Sequence, residues 1–259
     1  GQTEWSGNYD VALDIIDTAK IDKIRQNRNV ENAFYKERLG FSKATVADNA
    51  EYGYAVTAIS ENAFDGCFKL KLEKGSFPTN SNEAVVTGAF KNTDGKDVKV
   101  GDKITLELGV LKGTDGKVLG ESELLDLSPK GFKESKITDK KQKTYTITGI
   151  IENPNTRELN SSSCFGIYTV SDEESPVEAI RTKHMNKLYV AYTPQSEGNY
   201  LQNTADILGF KADDMSNVSS DEISPEDQQT SGVNGYSFNT VLLSMKGYGG
   251  SDGTNVMIF

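Results

Sequence analysis

Short segments in which apolar and polar residues alternate recur through the middle of the chain, and this period of two constrains the fold most. The alternation is strongest over residues 143–151, where Tyr145 and Ile147 would share one face of a strand. Residues 68–74 show the same pattern. Because successive side chains of a strand point to opposite faces, each such segment is typical of a strand with one buried face. Further strands are predicted over residues 83–87, 103–108 and 165–170, with turns at residues 92–95 and 115–116.

The two ends of the chain combine strand patterns with helical spacing. Residues 9–15 alternate as a strand does, whereas residues 19–27 carry Ile21 and Ile24 three positions apart, as on one face of a helix. Residues 196–208 also have helical spacing. The remaining expectations are strands over residues 30–39, 51–59, 186–192 and 238–245, and a solvated loop over residues 211–235.

These patterns predict an α+β fold with two lobes built from one discontinuous chain. Residues 1–74 and 184–259, the two ends, are expected to form a mixed α/β lobe. Residues 75–183 are expected to form an inserted β-rich lobe. A chain of 259 residues can bury a core of this kind without help from disulfides or metals.

The charge of the chain argues against nucleic acid as a partner. The 38 acidic and 28 basic residues give a formal net charge of −10, which repels a phosphate backbone. The mean hydropathy is −0.51, which is that of a polar protein. No run of about 18 apolar residues occurs, so we expect no membrane-spanning segment within the sequence.

Both termini suggest a fragment of a longer protein. Gly1-Gln2 resembles the scar of a cleaved tag, and no charged-then-apolar leader follows it. The apolar residues 255–259 are what a cut just before a transmembrane helix would leave, although a final buried strand could end in the same way. The glycine-rich residues 247–253 are expected to form a linker rather than a phosphate-binding loop, since no helical pattern follows them.

Residues suited to catalysis or to metal binding are scarce. His184 is the only histidine, and no catalytic signature surrounds it or the two cysteines, Cys67 and Cys164. We expect the cysteines to be thiols, although the sequence leaves a disulfide between them open. A calcium loop with Gly95 in sixth position would have Phe90 in first position, which cannot ligate. With no P-loop motif either, we predict no catalytic, cofactor-binding or metal residues, no cofactor, and no enzyme activity.

Three motifs in a fixed order carry a resemblance to a known family. The first is a Gly-x-Phe element at residues 75–77, followed by the acidic Glu83 at the start of a short apolar strand. The second is Val-Gly-Asp at residues 100–102, and the third is the alternating strand at residues 145–151. In this order they resemble the extracytoplasmic core domain of MacB/FtsX-type ABC transporter permeases. The flanking segments match by layout, and residues 111–143 depart from the pattern.

The resemblance implies a fold, a location and a set of partners. The fold would be a porter-like lobe formed by both chain ends, with a sabre-like β-rich lobe inserted between them. The domain would lie at the extracytoplasmic face of the membrane, between the first and second transmembrane helices of the permease. Its partners would be those helices, a separate cytoplasmic ATPase, and an extracytoplasmic protein or peptide. It would couple ATP hydrolysis to the handling of a substrate or partner outside the membrane.

Two other classes of protein stay open. A surface-anchored extracellular binding module would have the same composition. A secreted hydrolase with paired carboxylates is the less favoured alternative, because sugar clefts are usually lined with aromatic residues and Trp5 is the only tryptophan.

Overall fold

The computed structural model describes residues 7–45, 51–120, 123–124, 127–154, 159, 164–173, 180, 183 and 185–248. The predicted α+β class is confirmed, since a large mixed sheet is accompanied by several short helices. The strands are β1 (Val11–Ile15), β2 (Val30–Thr45), β3 (Glu51–Ile59), β4 (Leu72–Gly75), β5 (Glu83–Thr87), β6 (Lys103–Lys112), β7 (Lys136–Ile151), β8 (Cys164–Val170), β9 (Lys187–Tyr192), β10 (Ser219–Ser220) and β11 (Val233–Phe238).

The helices lie mostly in the two end segments. They are α1 (Ile21–Arg25), α2 (Ala63–Gly66), α3 (Pro129–Glu134), α4 (Tyr200–Leu208), α5 (Pro225–Ser231) and α6 (Thr240–Met245). Single 3-10 turns span Thr18–Lys20, Glu197–Asn199 and Ala212–Asp214. Within the described ranges, no helix has both the length and the apolar character needed to cross a membrane.

Part of the sheet closes on itself. The described strands follow the order β10-β11-β1-β9-β2-β3-β8-β5-β7-β4, and β6 pairs with both β7 and β2. The six strands β2, β3, β8, β5, β7 and β6 therefore form a closed ring, a small barrel. The strands β9, β1, β11 and β10 continue outward from β2 as an open sheet, which we call the end sheet.

Closure of the barrel depends on a single pair of residues, Phe41 on β2 and Gly109 on β6. The register of each strand shifts next to this pair, at Leu39 in β2 and at Gly109 itself in β6. Such bulges bend a strand, which lets a sheet turn a corner. A Cβ atom on Gly109 would lie closer than 3.0 Å to the backbone of Thr138, so only glycine allows this approach.

The barrel interior is filled by alternate residues of its strands. The predicted alternation over residues 143–151 is confirmed, because Tyr145 and Ile147 are both buried there. The interior cluster comprises Tyr54, Val56, Ala84, Val86, Phe90, Ile104, Leu106, Leu108, Tyr145, Ile147, Ile150 and Ile167. Burial of such large side chains is the main stabilising contribution to this part of the molecule.

A second core lies between the end sheet and the helices of the two chain ends. It joins Leu13 of β1 and Tyr35 of β2 with Leu188 of β9 and Leu208 of α4. The members of this cluster come only from residues 11–35 and 188–243. The two ends of the chain therefore share one core, even though most of the sequence lies between them.

The expected strand over residues 238–245 was wrong. The closing strand is β11, and residues 240–245 form α6, whose first turn is capped by the Asn239 side chain accepting from the Leu242 N–H at 3.2 Å. Adjacent Leu242 and Leu243 are both buried, while Val241 and Met245, four residues apart, are exposed. That spacing belongs to a helix and not to a strand.

The expected loop over residues 211–235 was wrong as well, because it contains α5 and the start of β11. The Ser224 hydroxyl accepts from the Asp227 N–H, Pro225 opens the helix, and Gly232 follows its end in the left-handed conformation. These are ordinary start and stop signals for a helix, and they outweigh the polar composition of the segment.

The expected strand over residues 68–74 is shorter than predicted. The structure has β4 only at Leu72–Gly75. Phe68 and Leu70 are buried, but Lys69 between them has a φ of 50°, which breaks an extended chain.

Candidate functional site

The three sequence motifs meet at one place, on the segment of β7 around Ile147. The N–H of Gly101 donates to the carbonyl of Ile147 at 2.7 Å, and the N–H of Ile147 donates to the carbonyl of Asp102 at 2.8 Å. On the neighbouring strands, Gly75 pairs with Gly149 and Glu83 lies opposite Thr146. Motifs that are far apart in sequence therefore form one structural unit, which we call the motif junction.

Glycine is required at one position of the motif junction. Gly75 has a φ of 76°, and a Cβ atom there would lie closer than 3.0 Å to the carbonyl oxygen of Thr148. Both the backbone conformation and the close approach of β4 to β7 exclude a larger residue. Glu83 carries a chemical feature of its own, because hydrogen bonding from the Thr79 N–H lowers the pKa of its carboxyl. That carboxylate is exposed and fixes the turn before β5.

The two described ends of the chain are joined by a buried charged cluster. The Asp10 carboxylate is 0% exposed, accepts from the Tyr192 N–H at 2.7 Å and pairs with the Lys246 ammonium at 2.9 Å. Lys246 also pairs with Glu197 at 2.6 Å. Burial by itself lowers the pKa of Lys246, but hydrogen bonds to Glu197 and Asp10, together with their charges, outweigh it and raise that pKa. We call Asp10, Glu197 and Lys246 the chain-end cluster.

A side-chain amide adds to this joint. The Asn239 amide nitrogen donates to the carbonyls of Gly7, at 3.3 Å, and of Tyr9, at 3.0 Å. Residues that precede β1 are thereby held against the residue that starts α6. The chain enters and leaves the end sheet at the same place.

The segment after β8 ties the barrel to α1, the helix that packs in the core of the end sheet. Arg25 of α1 donates through two guanidinium nitrogens to the two carboxylate oxygens of Glu173, at 2.9 and 2.5 Å. The Ser171 hydroxyl donates to the Glu37 carboxylate at 2.8 Å. A two-point arginine–carboxylate contact fixes direction as well as distance, so it restrains how the two parts of the molecule sit together.

A cavity opens where β2 and β6 separate beside their single pair. It has a volume of about 310 Å³ and is lined by residues of β2, β3, β6, β7 and β8, by Ser81 and by the segment after β8. Its aliphatic wall consists of Leu39, Ala58, Leu108, Val110, Val170 and Ile180. We call it the seam cavity, because the incomplete pairing of β2 with β6 creates it.

The structure describes both cysteines that the sequence analysis considered, but not the single histidine. Within the described ranges, no group of three or more His, Cys, Asp and Glu residues is arranged to hold a metal ion. Cys67 is buried beside α2 and Cys164 is half-buried on β8, and the structure holds both as thiols. His184 lies outside the described residues.

The charged groups described above were not predicted from the sequence. Asp10 and Lys246 are 236 positions apart, and Arg25 and Glu173 are 148 apart. No local pattern marks such pairs, because tertiary folding alone brings them together. Of the features in this section, only the motif junction was indicated by the sequence, through the order of its three motifs.

No protein-family model matches the sequence, and no curated protein matches it. Among solved structures, the chain is similar to the periplasmic region of MacB from Actinobacillus actinomycetemcomitans, at 8% identity over 96% of each chain, with a TM-score of 0.45. It is also similar to a domain of a protein described as a permease from Porphyromonas gingivalis, at 16% identity over 78% of this chain and 84% of that one, with a TM-score of 0.44. A third similar structure is the extracellular domain of the noncanonical ABC-type transporter YknZ from Gram-positive bacteria, at 10% identity over 79% of this chain and 97% of that one, with a TM-score of 0.40.

Proposed function

We propose that this chain is the extracytoplasmic domain of an ABC transporter permease and that it couples ATP hydrolysis in the cytoplasm to the handling of a substrate or partner outside the membrane. The observation that carries the proposal is the motif junction. The three motifs that resemble the MacB/FtsX-type domain are joined along residues 146–149 of β7 by backbone pairing and hydrogen bonds. The motifs that carry the resemblance therefore belong to one structural unit, which supports the proposal.

The chain-end cluster supports the same proposal. A domain placed between two membrane helices needs its entry and exit to leave from one side. Here the residues before β1 are bound to Asn239 and to Lys246, which flank α6 on either side. A displacement of either flanking helix would act on this joint and, through β1, on the end sheet.

The proposed lobes are residues 1–74 with 184–259, and residues 75–183. The shared core of residues 11–35 and 188–243 supports the first of these as a unit. The sheet nevertheless runs from one lobe to the other, because β3 of the first lobe pairs with β8 of the second along its length, and β2 meets β6. Motion between the lobes would strain the pairing of β3 with β8 and the Arg25–Glu173 contact.

The proposed partners are the flanking transmembrane helices and a separate cytoplasmic ATPase, with an extracytoplasmic protein or peptide as a further one. We propose no catalytic role for the chain itself. The acidic surface, with a net charge of −10, favours partners other than nucleic acid.

The coupling can be tested in the complete encoded protein, purified from membranes. ATPase activity is expected to copurify with it. Spin labels at Thr114→Cys, in a barrel turn, and Gln229→Cys, in α5, should report a distance that changes when ATP binds. A control pair within the barrel, Thr114→Cys with Glu107→Cys, should report an unchanged distance. Absence of any copurifying ATPase, or identical distances in both nucleotide states, would count against the proposal.

A further inference from the structure

The seam cavity carries a chemical pattern of its own. We propose that it binds a small amphipathic organic anion, whose apolar body lies against the aliphatic wall and whose single negative charge lies beside Lys143 and Tyr145. This goes beyond the permease proposal, since it concerns what the purified chain binds.

The size and walls of the cavity set the first requirement on the ligand. Its volume of about 310 Å³ is at the lower end of the range of about 300–1,000 Å³ found for small-molecule sites. Leu108, Val110 and Ile180 on its wall are buried, while Leu39 and Val170 are half-buried. An apolar chain or ring would gain free energy chiefly by covering Leu39 and Val170, because the other three side chains are already withdrawn from water.

The Tyr145 hydroxyl sets the second requirement. Tyr145 lines the cavity, its side chain is buried, and its hydroxyl has no hydrogen-bond partner among the described residues. Burial raises the pKa of Tyr145 well above its ordinary value of 10.0, so the group is a protonated donor at neutral pH. Leaving a buried hydroxyl without a partner is costly, and an acceptor oxygen on a ligand would remove that cost.

The lysines of β7 supply the charge. Lys141, Lys143 and Tyr145 are two residues apart along a regularly paired stretch of the strand, so they share the face that borders the cavity. The Lys143 ammonium lies 5.7 Å from the centre of the Tyr145 ring and donates to the Asn82 side-chain oxygen at 3.0 Å. An ammonium has three N–H donors, so that contact leaves capacity for an anion.

Acidic side chains at the same cavity limit the ligand to a single charge. Glu37 is buried and already accepts from Ser171. Asp139 and Asp172 also line the cavity, and Asp172 is exposed. Arg38 also lines the cavity, so the basic side chains equal these three carboxylates in number and the lining is formally neutral. A single negative charge beside Lys143 meets a local cation, whereas a polyanion would meet repulsion from the carboxylates. A medium-chain carboxylate or a small aromatic sulfonate meets each of these requirements.

The test uses the purified 259-residue chain. Binding of 1-anilinonaphthalene-8-sulfonate is followed by its fluorescence, and decanoate, decanol and decylamine are compared as competitors. We expect one saturable site from which decanoate displaces the dye better than the alcohol or the amine does. Tyr145→Phe keeps the shape of the cavity and should weaken decanoate binding by about tenfold. Lys143→Gln should weaken it by about threefold or more.

The matched control is Lys117→Gln, which removes the same charge from a side chain that is 83% exposed in a turn away from the cavity. It should leave decanoate affinity unchanged. Equal affinity of the native chain, Tyr145→Phe and Lys143→Gln would overturn the proposal, as would the absence of saturable binding. If Tyr145→Phe proved unstable, Lys143→Gln would decide, since its half-exposed side chain lies outside the core cluster. No membrane or ATPase is involved, so a negative result here leaves the permease proposal standing.

Discussion

Replacing Lys246 with methionine would test whether the chain-end cluster holds the two ends together. The substitution shortens the unbranched side chain by one heavy atom and removes its charge. It leaves the Asp10 carboxylate, which is 0% exposed, without the cation that lies 2.9 Å away. The remaining partner described for that carboxylate is the Tyr192 N–H, which satisfies one of its two oxygens.

The size of the effect follows from burial. Removing one member of a fully buried ion pair costs about 3–5 kcal/mol, because an uncompensated charge stays inside. Lys246 keeps 26% of its side chain exposed, so water reaches the site and we expect about 2–3 kcal/mol. For a domain of this size that corresponds to a fall in Tm of about 5–10 °C.

Thermal unfolding followed by circular dichroism would measure the change. Lys117→Met, which removes an 83% exposed lysine paired with Asp115, is the control and should leave Tm nearly unchanged. The double variant Asp10→Asn with Lys246→Met should recover much of the lost Tm, because it also removes the buried, unpaired carboxylate of Asp10. A Lys246→Met protein as stable as the control, or a double variant as unstable as the sum of the singles, would refute the reasoning.

The stabilisation from this pair should also depend on pH in a defined direction. Hydrogen bonds and charges from Glu197 and Asp10 raise the pKa of Lys246 above its ordinary 10.5. A group whose pKa is raised on folding stabilises the native state fully below its unfolded pKa and loses that contribution as pH rises through the folded value. The Tm difference between the native chain and Lys246→Met should therefore hold from neutral pH to about pH 10 and shrink above it.

Two further predictions concern the motif junction and the cysteines. Gly75→Ala should destabilise the chain by about 3 kcal/mol or more in urea unfolding, against about 1 kcal/mol for Gly101→Ala, whose added Cβ would meet nothing within 4 Å; equal losses would contradict the close contact at Gly75. Thiol titration should modify the half-buried Cys164 in the native protein, and the 0% exposed Cys67 only after unfolding. Failure to find two thiols in denaturant would show a disulfide instead.

The fold class was predictable because strand periodicity is a local signal. The alternation around Tyr145 and Ile147 is set by the two faces of one strand, and both residues are buried as expected. The helix α5 is also encoded locally, by the start and stop signals Ser224, Pro225 and Gly232, although its polar composition is that of a solvated loop.

The barrel and the candidate sites could not be predicted in the same way. Closure depends on the pairing of Gly109 of β6 with Phe41 of β2. The hydrophobic pattern of either segment does not indicate which other strand it pairs with. The Asp10–Lys246 pair likewise joins opposite ends of the chain. Tyr145 was recognised as a core residue, but only the structure shows that its hydroxyl lacks a partner among the described residues.

The location of the chain in the cell tests the central claim most directly. In the complete encoded protein, Thr114→Cys and Gln229→Cys place a thiol at exposed positions of the barrel and of α5, on a background where Cys164 is serine and the buried Cys67 is kept. A membrane-impermeant maleimide should label both positions in intact cells as fully as in permeabilised cells. Labelling of either position only after permeabilisation would place the chain in the cytoplasm and contradict the proposed function.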